Sequence, residues 1–126
     1  MRPSEVFEQD GWKPGGVGQV GEARCMLGLI GTAFGCEETS TKQTGHWIEG
    51  NSLASSYTSV LVRLIGAPII DKARDYQIVY YWNDAPERTK EEVIALLREV
   101  EAEVYAHPVP WAEKGLAYAS ISSRAD

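Results

Sequence analysis

The 126-residue sequence has little of several things. Its longest apolar run, Ile78 to Trp82, is five residues, far short of the ~20 that a membrane-spanning helix needs. No basic segment precedes an apolar one near the start, so no secretory signal is expected. Basic residues are scarce: twelve Lys and Arg stand against eighteen Asp and Glu, a net charge of −6. Such a chain repels phosphate backbones and anionic lipid, so nucleic acid and membrane surfaces are not expected partners. No internal repeat and no low-complexity segment is present.

Cysteine and histidine are sparse too, with two of each. If Cys25 and Cys36 share one helix, eleven residues separate them by ~16 Å along the axis. A disulfide needs Cα atoms within ~7 Å, so free thiols and a reducing, cytoplasmic setting are expected. Zinc sites present closely paired ligands, and Cys25, Cys36, His46 and His107 contain no such pair. No metal or cofactor is expected.

What is there suits one folded domain, 1–126, with residues 1–5 and 122–126 expected to fray. Apolar residues make up 44% and charged ones 24%, ordinary globular usage. Met1 to Asp10 can hold a helical turn begun by Pro3 or Ser4. Five glycines between Gly11 and Gly21 then make a loop. Glu22 to Phe34 reads as helix, with Ala23, Met26, Leu27, Ile30 and Phe34 on one face and Gly35 as a stop. Gly28 and Gly31 imply another backbone packed close by. Cys36 to Asn51 is a long polar loop carrying Trp47 and Ile48.

Ser52 to Ile65 is the second clear helix, capped by Asn51 or Ser52 and stopped by Gly66 and Pro68. Its stripe is Leu53, Tyr57, Val60, Leu61 and Leu64. Asp71 to Trp82 suits two readings: Ile69, Ala73, Tyr76 and Tyr80 share a helical face, while Gln77 to Trp82 is rich in β-formers. After a turn at Pro86, Thr89 and Glu92 form a T-x-x-E capping box. It opens a helix, Lys90 to Tyr105, that buries Val93, Leu96, Leu97, Val100 and Val104. Pro110 and Trp111 pin the remaining tail. The fold expected is mainly α: a small compact bundle of about four helices with a Gly-rich N-terminal loop and a long polar loop.

Constellations that carry chemistry are weak. Gly16, Gly18 and Gly21 spell G-x-G-x-x-G before a helix, but no apolar strand precedes them, so a dinucleotide site is not expected. Cys25, in the first turn of its helix, is a conceivable low-pKa nucleophile with His46 or His107 as base, or else a small buried residue. Glu37, Glu38 and Glu49 are a carboxylate site or an exposed polar loop. Trp12, Trp47, Trp82 and Trp111 anchor loops or mark a binding surface.

Three segments resemble a family of small proteins from actinobacteria and their phages, a domain of unknown function. They are Gly11-Trp12 with Gly15; Cys25 with Gly28; and Trp82-Asn83-Asp84, Arg88-Thr89, Glu92-Val93. They match its G-W-x-x-G, C-x-x-G and W-N-D-x-x-x-R-T-x-x-E-V motifs, although the family's alanine after the second motif is Leu29 here. The resemblance implies a mainly helical fold and a phage or actinobacterial source, names no reaction, and tips Asp71 to Trp82 toward helix. Physically, Asn83 can end one helix in a left-handed conformation, Asp84 can accept from the Pro86 turn or from Arg88, and Thr89 can cap the next helix. The alternative is a ligand site at Trp82, Asn83, Asp84 and Arg88.

Two functions follow. The first is an acidic protein-binding module, phage-encoded and modulating a host protein. Its partner face would combine Glu91, Glu99 and Glu103, with Glu92 beside them, and an apolar anchor at Trp47 and Ile48. The second is a small enzyme or an anion or nucleotide sensor using Cys25, the Gly16–Gly21 loop and Asp84.

Overall fold

A computed structural model describes residues 1–16, 21–36, 46–66 and 73–106. Among them are five α-helices and one 3-10 turn, and no strand beyond a single β-bridge. The helices are α1 (Pro3–Asp10), α2 (Met26–Ala33), α3 (Ser52–Ile65), α4 (Asp75–Asn83) and α5 (Lys90–Ala106).

Helix α1 begins with Pro at N1, where its missing N–H costs nothing. The Arg2 N–H donates to Glu5 Oε1 at 2.6 Å. Residues 3 to 5, expected to fray, instead form a docked first turn in which Pro3 and Ser4 are buried. The helix stops at Gly11, whose φ of +90° is closed to most side chains. A Cβ there would also press on Ala23, 3.4 Å away.

That approach explains why α2 starts later than its apolar pattern implies. Trp12 and Arg24 form a parallel bridge, with Lys13 N–H donating to Arg24 C=O at 3.1 Å. Residues 22 to 24 are therefore not helical, and Cys25 is the N-cap rather than a first-turn residue. Met26, Leu27, Leu29 and Ile30 are all buried, so α2 is apolar around its whole circumference and forms the centre of the molecule. Gly28 and Gly31 are buried with them. A Schellman turn closes the helix: Cys36 N–H donates to Gly31 C=O at 2.9 Å, with Gly35 at φ +79°.

Helix α3 has the boundaries its caps imply. Asn51 Oδ1 accepts from Ala54 N–H at 2.9 Å, its Nδ2 donates to Phe34 C=O at 3.3 Å, and Gly66 ends the helix left-handed. Leu53, Ala54, Tyr57, Thr58 and Leu61 are buried; Val60 and Leu64 are only partly so. The ambiguous segment is helical from Asp75 on, as α4, but the buried residues of α4 are Val79 and Asn83, with Tyr76 and Tyr80 at the margin. Ile69 lies outside the described residues, as do Glu37, Glu38, His107 and Trp111.

Helix α5 buries Val93, Leu96, Leu97, Val100 and Val104 as expected, and Glu101 as well. It lies against α3 and α1, while α2 sits between α1 and α4.

Candidate functional site

The Trp82–Val93 corner is positioned by the inward face of α4. Val79 and Asn83 are one turn apart and both buried, so the last residue of α4 points into the protein. Asn83 Oδ1 accepts from the Trp12 indole N–H at 2.6 Å and from Met26 N–H at 2.9 Å. Asn83 thereby caps α2 from another helix, where Cys25 makes no side-chain cap of its own. Its Nδ2 donates to Asp84 Oδ1 at 2.9 Å, and the same oxygen accepts from Gly15 N–H at 2.8 Å. Asn83 is therefore not left-handed, and Asp84 binds the glycine loop rather than the Pro86 turn or Arg88. Glu87 is the left-handed residue, at φ +70°.

Arg88 is held on three sides. Its guanidinium stacks on the Trp82 ring, 3.6 Å from the centroid. Its Nε donates to Trp82 C=O at 2.9 Å and its Nη1 to Glu92 Oε2 at 3.1 Å. Thr89 and Glu92 complete the capping box, with bonds of 2.9 and 3.1 Å. The Thr89 N–H, then its hydroxyl and Arg88, hold the Glu92 carboxyl below the usual range. The polar atoms of the proposed ligand site Trp82, Asn83, Asp84 and Arg88 are largely committed to one another and to the glycine loop. This arrangement ties the loop after α1 to α2, α4 and α5 at one corner.

The outer side of the corner is different. Tyr81 is 56% exposed, and its ring centroid lies 4.6 Å from that of Tyr80. Asp84, Glu87 and Glu91 are exposed close by in sequence.

Of the apolar anchor expected at Trp47 and Ile48, Ile48 is not at the surface. Ile48 is 2% exposed, because the 3-10 turn His46–Gly50 folds it onto α3. Trp47 packs half-buried against the core, and its indole N–H has no acceptor among the described residues. Of the acidic candidates, Glu91 and Glu99 are exposed. Glu103 pairs with Arg63 of α3, and Arg98 is drawn off by Glu8.

Cys25 is buried, and burial pushes its thiol up, the reverse of an activated thiolate. Its N–H donates to Gly16 C=O at 3.3 Å. The Gly15 and Cys25 N–H groups beside the glycine loop are thus bonded within the protein; Gly18 lies outside the described residues. Both cysteines are free thiols. Glu49 is taken up by Arg74, at 2.8 Å. Among the described residues no three His, Cys, Asp or Glu side chains are placed to hold a metal ion, and no helix is long and apolar enough to cross a membrane.

One cluster escaped the motif search. Glu101 takes hydrogen bonds from Ser4 and Tyr57 inside the protein. The sequence does contain its signal: position 101 is four residues after Leu97 and three before Val104, in the buried stripe.

Comparison with known proteins adds one finding. No curated protein and no solved structure matches the chain. A family model described as a family of unknown function (DUF6197) matches residues 3–103, from the first residue of α1 into the last turn of α5. The chain belongs to the DUF6197 family, whose function is unknown.

Proposed function

We propose that this protein is a small binding module that docks a partner protein through the outward side of α4 and the turn after it. The observation that carries the reading is Tyr81. It is a large aromatic side chain more than half exposed, beside Tyr80 and preceding in sequence the Trp82 on which Arg88 stacks. Tyr, Trp and Arg are the residues that dominate binding hot spots. The stack is already rigid, so little side-chain entropy is lost when a partner covers it.

The exposed Asp84, Glu87, Glu91 and Glu99 and the net charge of −6 favour a basic partner, attracted faster at low salt. The motif resemblance to actinobacterial and phage proteins points to a host protein as that partner. A reading as enzyme or anion sensor has less support, since Cys25 is buried and protonated and Asp84 is occupied by Gly15 and Asn83.

The test is comparative capture. Immobilised wild-type protein, Tyr81→Ala and the double variant Glu91→Lys plus Glu99→Lys are exposed to the same host extract at two salt concentrations. A bound protein lost with Tyr81→Ala and weakened by the charge reversals and by salt supports the reading. The same proteins bound by all three forms would refute it.

A further inference from the structure

Glu101 is 3% exposed, at a position where its helix otherwise presents Leu97 and Val104. Three groups from two other helices meet its carboxyl. From α1, Ser4 N–H donates to Oε2 at 2.9 Å and the Ser4 hydroxyl contacts Oε1. From α3, the Tyr57 hydroxyl donates to Oε2 at 2.7 Å.

The two oxygens have different neighbours. Oε2 faces two donors. Oε1 faces a hydroxyl, which donates to a carboxylate and accepts from a carboxylic acid. The site therefore offers hydrogen bonds to both protonation states, but among the described residues it gives the buried anion no bonded cation to offset its loss of water. An ionised Glu101 accepts three hydrogen bonds. A neutral Glu101 donates Oε1–H to Ser4 Oγ while Oε2 keeps both of its donors.

The surrounding charges do not fix the state. Just before α1, the Arg2 guanidinium is stacked on Tyr105, 4.2 Å from the ring centroid, while the Glu5 carboxylate accepts the backbone N–H of Arg2 and does not pair the guanidinium. From α3 come Tyr57 and Arg63, and Arg63 is paired with Glu103. From α5 come Tyr105 and Arg98, and Arg98 is paired with Glu8. No cation bonds Glu101 among the described residues.

We propose that Glu101 is a proton-operated latch for α1: the neutral acid keeps the helix seated, and the buried anion loosens it. Burial raises the Glu101 carboxyl above the ordinary range, outweighing Ser4, Tyr57 and Arg2 in that order. The sign follows. Folding tightens the hold on this proton, so the latch's contribution is full below the ordinary Glu value of about 4.3 and is lost as pH rises through the raised folded value. What α1 uncovers on release includes Val6, 1% exposed when seated.

The experiment uses the full chain. Carbon-detected NMR follows the Glu101 carboxyl, with Glu91 and Glu99 as exposed references. Amide exchange from Phe7 to Gly11, corrected for intrinsic rate at each pH, reports α1; amides of Val93 to Val100 report the body. Glu101 is expected to titrate above both references. Opening of α1 is expected to rise about tenfold for each pH unit by which folding raises the group, while the body stays constant. Glu101→Gln is expected to flatten the α1 profile. Titration of Glu101 together with Glu91 and Glu99 overturns the latch, as does α1 exchange that is flat through the Glu101 titration. A folded Gln variant with the wild-type profile also overturns it. If that variant does not fold, the two wild-type measurements decide.

Discussion

Replacing Asn83 with Ala should be the most damaging single polar change in the protein. The amide oxygen takes two buried donors, the Trp12 indole N–H and the Met26 N–H that opens α2. Ala leaves both without an acceptor, at a position 1% exposed, where water has little access. An orphaned buried donor costs about 1–3 kcal/mol, so the pair costs about 2–6 kcal/mol before relaxation and about 3 kcal/mol after it. At about 4 °C per kcal/mol for a domain of this size, the melting temperature should fall by about 12 °C. Urea unfolding followed by far-UV circular dichroism gives the free energy, and a cycle with Trp12→Phe gives the cause. In wild type, Phe removes a satisfied N–H. In the Ala background it removes an orphan, so it should cost less there, by about 1 kcal/mol or more. A loss under 1 kcal/mol for Asn83→Ala, or strict additivity with Trp12→Phe, would refute the view that this amide holds the corner together.

Other changes test separate parts of the structure. Glu87→Gly removes a side chain from a backbone at φ +70° and should stabilise by about 0.5–1 kcal/mol, raising the melting temperature by a few degrees. Ile48→Ala should cost about 2–5 kcal/mol as a core truncation, while Tyr81→Ala should stay within about 0.5 kcal/mol; equal costs would show that the core and surface assignments are mistaken. At pH 7 iodoacetamide should label Cys36 well before Cys25, because burial keeps the Cys25 thiol protonated, and mass spectrometry of the digested protein reads the order.

Local chemistry was legible wherever it closes within a few residues. The caps of α3 at Asn51 and Gly66 and the Thr89–Glu92 box of α5 are short-range signals, and both helices lie where these place them. The α5 stripe was equally plain, because 3.6-residue periodicity needs no knowledge of the partner. Long-range pairing was not legible. Residues 22 to 24 carry a helical pattern, yet they are not helical because Trp12 and Lys13 lie beside Arg24. Asn83 and Asp84 looked like local turn residues, and their partners proved to be Trp12, Met26 and Gly15. Ile48 follows a polar stretch without periodicity, so nothing near it in sequence announces that it enters the core. Glu101 is the reverse case: its position indicated burial, and its charge drew attention to solvent.

The bond from Ser4 to Glu101 spans 97 residues, and it bears on how the chain is made. A ribosome releases α1 before α5, so the seat of Ser4 on Glu101 does not exist until α5 has emerged. At 5–20 residues per second that wait is roughly 5–20 s, long compared with helix formation in microseconds or less. During it, α1 is an eight-residue peptide too short to be stable alone, and α2 is the first surface it can pack on. The α1–α2 packing can therefore form well before the Ser4–Glu101 bond. That bond is added to a contact already made, when α5 leaves the tunnel.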